Sequence, residues 1–195
     1  MSLSTKDRIK EVALGLFAWR GYEATTMDEI AKGVQIKTSS LYSHFTGKED
    51  LFNSIYEDLA EEYLVLMENI IHSSSNMEPK EALYYICEQY IDYYIENLDK
   101  ESFWNRLRLF TPPHFVGRFN DDWTNYNNPI QDELAKIFEA GVEQGLICKK
   151  DSRKMVLSFL AYRDGLLYLM KTTREIQKDQ LRYFLDIFWD GLKVP

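Results

Sequence analysis

The sequence predicts an all-α fold on three observations. Apolar residues recur at three- and four-residue spacing almost everywhere along the chain, and alternating patterns are scarce. Only nine glycines and five prolines punctuate 195 residues. A Thr followed three residues later by Glu, the spacing of a reciprocal helix cap, stands where two of the periodic runs begin. An apolar content of 45% supports a sizeable core, which excludes disorder as the default state.

The elements follow in order. Ile9, Val12, Ala13, Leu16 and Phe17 share one face of a first helix, with Ser4 to cap its start and Gly21 to stop it. Thr26 and Glu29 announce a short second helix that turns Met27, Ile30 and Ala31 inward and ends near Gly33. After Val34 to Lys37 comes a third short helix, clamped to the first two by Leu41 and Phe45. Thr46 and Glu49 repeat the cap spacing and open a long helix, with Leu51, Phe52, Ile55, Leu59, Tyr63, Leu66 and Ile70 on a broad stripe. If continuous to Ile71 it extends about 36 Å.

His72 to Met77 reads as a serine-rich loop, and Pro79 as the first residue of a central helix reaching about Asp99. A short helix is expected over Ser102 to Phe110. Thr111 to Asn128, with two adjacent prolines, a glycine and several asparagines, reads as irregular, and Pro129 as the restart of a helix that Gly145 ends. Two last helices, about Asp151 to Lys171 and Lys178 to Lys193, carry more apolar surface than one core needs.

Charge and chemistry narrow the function classes. The chain has 31 acidic and 23 basic residues, a formal charge of -8, which opposes a wholesale nucleic-acid coat or an anionic-membrane binder. The opening MSLSTKDRIKEV is too interrupted by charge for a secretory leader, and the strongest apolar run, Met155 to Met170, is broken by Arg163 and Asp164. A cytoplasmic protein without membrane contact is the expectation. Cys87 and Cys148 form neither zinc nor disulfide spacing. His44, His72 and His114 have no partner spacing for a metal or a nucleophile-base pair, and no glycine-rich phosphate loop is present. Neither an enzyme, nor a metal site, nor a cofactor is expected.

The first three helices form a helix-turn-helix pattern whose last helix can enter a DNA major groove. With Leu41 and Phe45 committed to the core, Thr38, Ser39, Ser40, Tyr42, Ser43 and His44 are left for outer or flanking faces, where each can hydrogen-bond bases or phosphates. Residues 1–47 carry a net charge of +1 and residues 48–195 carry -9. A head so weakly positive binds phosphates poorly alone, so two subunits are needed.

These residues resemble the TetR family of bacterial transcriptional regulators. The resemblance rests on Gly21-Tyr22, Thr25-Thr26-Met27, Ile30-Ala31, Leu41-Tyr42, His44-Phe45 and Lys48-Glu49 and on the spacing between them, about 45 residues in all. The remainder matches in helix number, length and order. The resemblance implies a helix-turn-helix DNA-binding domain over 1–47 and a larger helical ligand-binding and dimerisation domain over 48–195. By position it implies base-facing or groove-facing roles for Thr38, Ser39, Ser40 and Ser43, and phosphate contacts for Thr26, Tyr42, His44 and Lys48. Lys48 also sits in the first turn of the long helix, where free amides and the dipole attract phosphate. Gln35, Lys37 and Ser39 depart from the family's turn glycine, serine cap and small glycine. Either Lys37 or Thr38 caps the third helix; in the second case Lys37 is free to reach a phosphate.

The resemblance further implies a homodimer on a palindromic double-stranded operator, usually a repressor, released by a small molecule that acts on the heads through the long helix from Lys48. Twelve aromatics lie between Tyr84 and Tyr126. Tyr90, Tyr94, Phe103, Trp104, Phe110, Phe115, Phe119 and Trp123 are candidates to surround an apolar or aromatic effector, although plain core is the commoner fate of such rings. Glu88, inside an apolar stripe, is a candidate partner for a cationic ligand, or else pairs with a nearby Lys or Arg. The apolar load of the last two helices and the family's mode of pairing make Leu166, Leu169, Phe184, Phe188 and Trp189 the dimer-interface candidates. The competing reading is a helical ligand-binding or interaction module without operator-specific DNA binding.

Overall fold

The computed structural model describes residues 4–173 and 175–194, and among them the regular structure is helical with no strand. Helix α1, Thr5–Arg20, starts where the Ser4 hydroxyl accepts from the Asp7 amide and ends at Gly21, whose φ of 90° turns the chain while its amide donates to the Phe17 carbonyl. Helix α2, Met27–Val34, carries the full reciprocal cap between Thr26 and Glu29. Helix α3 is the single turn Thr38–Leu41, so Phe45 anchors the chain just beyond it rather than within it.

Helix α4, Lys48–Ser74, runs past Ile71 because Ser74, buried, returns its hydroxyl proton to the Ile71 carbonyl and needs no loop. Its start is held by Asp50 rather than Glu49: the Thr46 amide and hydroxyl both donate to the Asp50 carboxylate, at 2.7 and 3.1 Å. Helices α5, Pro79–Glu96, and α6, Leu98–Leu109, follow almost without interruption. A 3₁₀ turn at Pro113–Phe115 leads straight into α7, Val116–Glu143. This corrects the irregular stretch expected over 111–128: Pro129 lies inside α7 and restarts nothing. Helix α8, Ser152–Thr172, is capped by Asp151, which accepts from the Lys154 amide. A second 3₁₀ turn, Lys178–Gln180, precedes α9, Leu181–Asp190. None of these helices is long and apolar enough to cross a membrane.

The chain groups into two compact units, Met1–Tyr63 with Asn97–Asp121, and Leu64–Glu96 with Asp122–Pro195. That division differs from the expected boundary at 47/48, because α4 continues the packing of the head and α6 returns to it. In the first unit Phe52 is the hub. Its ring lies 5.3 Å from Phe17, 5.1 Å from Tyr22, 5.4 Å from Phe103 and 5.4 Å from Phe115, mostly edge to face. Arg106 of α6 ties α6 to the end of α1 by donating to the Ala18 and Trp19 carbonyls, each at 3.1 Å, where the helix has no amides left to offer.

The second unit packs α5 against α8 and α9. Leu83, Ile86, Cys87 and Ile91 of α5 are buried in this layer, as are Phe159 and Leu166 of α8 and Leu185 and Trp189 of α9. Among the described residues of this unit one charged side chain is buried: Arg163 stacks its guanidinium 3.5 Å from the centroid of Tyr90 and donates twice to Asp164. Burial pushes the Cys87 thiol up to about 12, so it stays protonated and inert despite the nearby guanidinium.

Candidate nucleic-acid interface

The head is assembled from local chemistry. The Thr26–Glu29 cap fixes the start of α2, and its hydrogen bonds hold the Glu29 carboxyl below the usual carboxylate range. Val34 ends α2 with its carbonyl accepting from Arg8 at 2.9 Å, which pins α2 to α1. Gln35 then adopts φ 62°, ψ 42°, the left-handed turn that sends the chain into α3, and the Ile36 amide closes the helix end on the Ala31 carbonyl at 3.0 Å. Gly33 lets the helices approach: a Cβ there would stand 2.6 Å from Val12 Cγ1.

Of the two expected caps for α3, Lys37 occupies the N-cap position, without a side-chain bond, and Thr38 is the first helical residue. The Thr38 hydroxyl donates instead to Asp28 at 2.7 Å, across from α2. Leu41 and Phe45 are buried, as the spacing requires, and Ser39, Ser40, Tyr42, Ser43 and His44 are exposed together on and just after the turn, Tyr42 at 52%. Lys37 is exposed beside them. The surface is therefore one of small hydroxyls, a phenol, an imidazole and a lysine, each able to hydrogen-bond a base edge or a phosphate.

Two expected phosphate contacts are engaged elsewhere. Thr26 gives both its amide and its hydroxyl protons to Glu29, at 3.0 and 2.9 Å. Lys48 donates to the Tyr22 carbonyl at 2.8 Å and lies 4.2 Å from the centre of the Tyr22 ring. Its ammonium keeps further protons to offer, but its position is that of a tie between α4 and the turn after α1. Asp28 and Arg8, which shape this surface, carry no local signature in the sequence: their partners lie ten and 26 residues away.

The effector candidates do not form one lining. Phe103, Trp104, Phe115 and Phe119 belong to the first unit and are buried, the first three in contact with Phe52 or Tyr56. Phe110 is turned out, 70% exposed, with the Arg106 guanidinium 5.9 Å from its ring. Tyr90 and Tyr94, 4.7 Å apart, are buried in the second unit, where Trp123 is half-buried. Glu88 is held by a two-pronged contact from Arg182 at 2.7 and 3.1 Å, so it faces an arginine rather than open space. A cavity of about 900 Å³ does open within the second unit, between α4 and α7, with Leu64, Ile71, Tyr126 and Ile130 in its wall and Glu68, Asp132, Glu133 and Lys136 around it. None of the nine candidates lines it, because aromatic density marks where core is, not where space is left.

Among the interface candidates, Leu166 and Trp189 point into their own unit and are buried there, which corrects their assignment to an outer face. Leu169, Phe184 and Phe188 are half-buried. The exposed large apolar residues of α8 and α9 are Leu157, Tyr168, Tyr183 and Ile187, with Tyr168 61% and Tyr183 66% exposed.

Comparison with known proteins places this architecture. Residues 9–55 match the family model for bacterial regulatory proteins of the tetR family. The chain is 32% identical over 158 residues, 80% of either chain, to IcaR of Staphylococcus aureus strain Newman, the HTH-type negative transcriptional regulator of the biofilm operon icaADBC. It is 24% identical over 190 residues to IcaR of Staphylococcus epidermidis, covering 94% of this chain and 98% of that one. In fold it is similar to PfmR, a TetR family transcriptional regulator from Thermus thermophilus, with a TM-score of 0.74 and 23% identity over the full length of both chains. A helical chain with this head, 32% identical to a bacterial negative transcriptional regulator over four-fifths of both sequences, belongs to the TetR family of bacterial transcriptional regulators.

Proposed function

We propose that the protein is a repressor that binds a palindromic operator as a homodimer and is released by a small apolar or aromatic effector. The observation that carries the DNA reading is the exposed polar group Ser39, Ser40, Tyr42, Ser43 and His44 standing over the buried anchors Leu41 and Phe45. Repression follows the relatives, which are negative regulators. Pairing of two copies through α8 and α9 gives Leu157, Tyr168, Tyr183 and Ile187 an apolar partner, and two weakly positive heads supply together what one lacks. The cavity between α4 and α7 suits the effector: Leu64, Ile71, Tyr126 and Ile130 offer it apolar contact, and because Glu133 is paired with Lys136 and Asp132 with Arg153, Glu68 is the carboxylate left to favour a body carrying positive rather than negative charge. Helix α4 begins in the head unit and lines this cavity further on, so one continuous helix is common to both.

Selection of genomic fragments bound by the full chain tests the reading. A palindrome is expected, weakened by Tyr42→Ala and by Lys37→Ala, and a thermal-shift screen of lipophilic amines is expected to yield compounds that also lower operator affinity. Recovery of no enriched sequence would leave a helical ligand-binding module in place of a regulator.

A further inference from the structure

Resting on that operator reading, we propose that Asp28 turns the Thr38 hydroxyl into a pure hydrogen-bond acceptor, so that Thr38 reads a base amine, on adenine or cytosine, in each half-site. A hydroxyl has a single proton, and a carboxylate oxygen has only lone pairs to give. At 2.7 Å between Thr38 Oγ1 and Asp28 Oδ1 the proton therefore lies on the side of Asp28. What Thr38 presents outward from the first turn of α3 is oxygen lone pairs. The negative charge behind the bond polarises the hydroxyl and strengthens it as an acceptor.

That polarity excludes most of a duplex. Phosphate oxygens, guanine N7 and O6, adenine N7 and thymine O4 are all acceptors and have nothing to donate to Thr38. The donors exposed in the major groove are the adenine N6 and cytosine N4 amines. Ser43 is biased the same way, its proton going to the Ser40 carbonyl at 2.6 Å. Ser39 and Ser40 differ: their exposed hydroxyls donate to no described residue and are free to serve either polarity. The reading surface is thus divided, and Asp28, which lies on α2 and outside the reading turn, is a specificity-determining residue acting through Thr38.

The test begins with the sequence that the wild-type chain selects from a random duplex library. Within that sequence each adenine is replaced in turn by purine, which lacks the N6 amine, and each cytosine by 2-pyrimidinone, which lacks the N4 amine. Separate duplexes carry 7-deazapurines, which lack N7. Affinities are measured for wild type and for Thr38→Val, which keeps the shape of the side chain without its hydroxyl. At one position per half-site, loss of the amine is expected to weaken wild type about 3- to 10-fold and to leave Thr38→Val no weaker than it already is. Loss of N7 is expected to affect both proteins alike. In Asp28→Ala the freed hydroxyl is expected to accept G or T at that position. Coupling of Thr38 to N7, or to no base while wild type still selects a sequence, overturns the proposal and leaves the operator reading standing. An unchanged base preference in Asp28→Ala overturns the part assigned to Asp28, and the Thr38→Val comparison stands alone if that variant fails to fold. A library that yields no enriched sequence removes the operator reading and this inference together.

Discussion

Gln35 holds a backbone conformation that glycine adopts at lower energy. A side chain at φ 62° meets its own carbonyl, at roughly 1–2 kcal/mol, while glycine forfeits about 0.5–1 kcal/mol of chain entropy on folding. Gln35→Gly is therefore expected to stabilise the protein by up to about 1 kcal/mol, read as a higher urea midpoint at unchanged slope. Gly33 behaves oppositely. Alanine gains about 1 kcal/mol of helix propensity there, but its Cβ meets Val12 Cγ1 at 2.6 Å, an overlap that costs about 1–3 kcal/mol to relieve. Gly33→Ala is expected to destabilise, and Val12→Ala to recover part of the loss in the double variant, so that the two changes are not additive. At this scale the sequence shows which residues are polar and outward but not where their protons go. Thr26 and Thr38 were both legible as surface hydroxyls; their commitment to Glu29 and Asp28 is settled by contacts, and only the first of these is local enough to leave a spacing.

Individual helices were legible wherever a cap or an apolar stripe marked them. Ser4, Thr26 and Asp151 stand where α1, α2 and α8 begin, and Gly21 and Gly145 take positive φ where the chain turns. Helix α7 was hidden by composition, since Pro129, Gly117 and four asparagines between 120 and 128 all speak for turns. A weaker signal pointed the other way: Phe115, Phe119 and Trp123 follow one another at four-residue spacing, and Ile130 and Leu134 continue it as buried residues. Burial of that stripe outweighs local preference, and Asn127 stays in the helix by donating to the Trp123 carbonyl at 2.8 Å. The cap of α2 makes a prediction of its own. Hydrogen bonds from Thr26 lower the Glu29 pKa in the folded state, so this carboxylate contributes stability above its unfolded pKa and the contribution is lost as pH falls through the folded value. Glu29→Ala is expected to be less stable than wild type at neutral pH, with the gap closing below about pH 4, in urea titrations at the two pH values.

At the scale of the whole molecule the decisive quantities are a formal charge of -8 for the chain and +1 for residues 1–47. A subunit with that balance is repelled by a duplex at long range, and each head neutralises few phosphates. In the homodimer proposed above, operator affinity comes from joining two heads, since a second head tethered to the first binds at an effective concentration set by the dimer and not by the solution. The outward apolar residues of α8 and α9 are the surface proposed for that union, while Leu166 and Trp189 are spent on the subunit's own core. Tyr168→Asp combined with Ile187→Asp places two charges on this exposed face without entering the core, so the subunit is expected to keep its helicity and unfolding midpoint. Sedimentation is expected to change from a dimer to a 23.1 kDa species. Operator binding by that species should weaken by at least about 100-fold, with the slope of log affinity against log salt falling to about half. Single-head contacts of the same strength in both proteins would produce that halving; an unchanged slope in a verified monomer would mean that one head alone accounts for the phosphate contacts, and that pairing through α8 and α9 has no part in operator recognition.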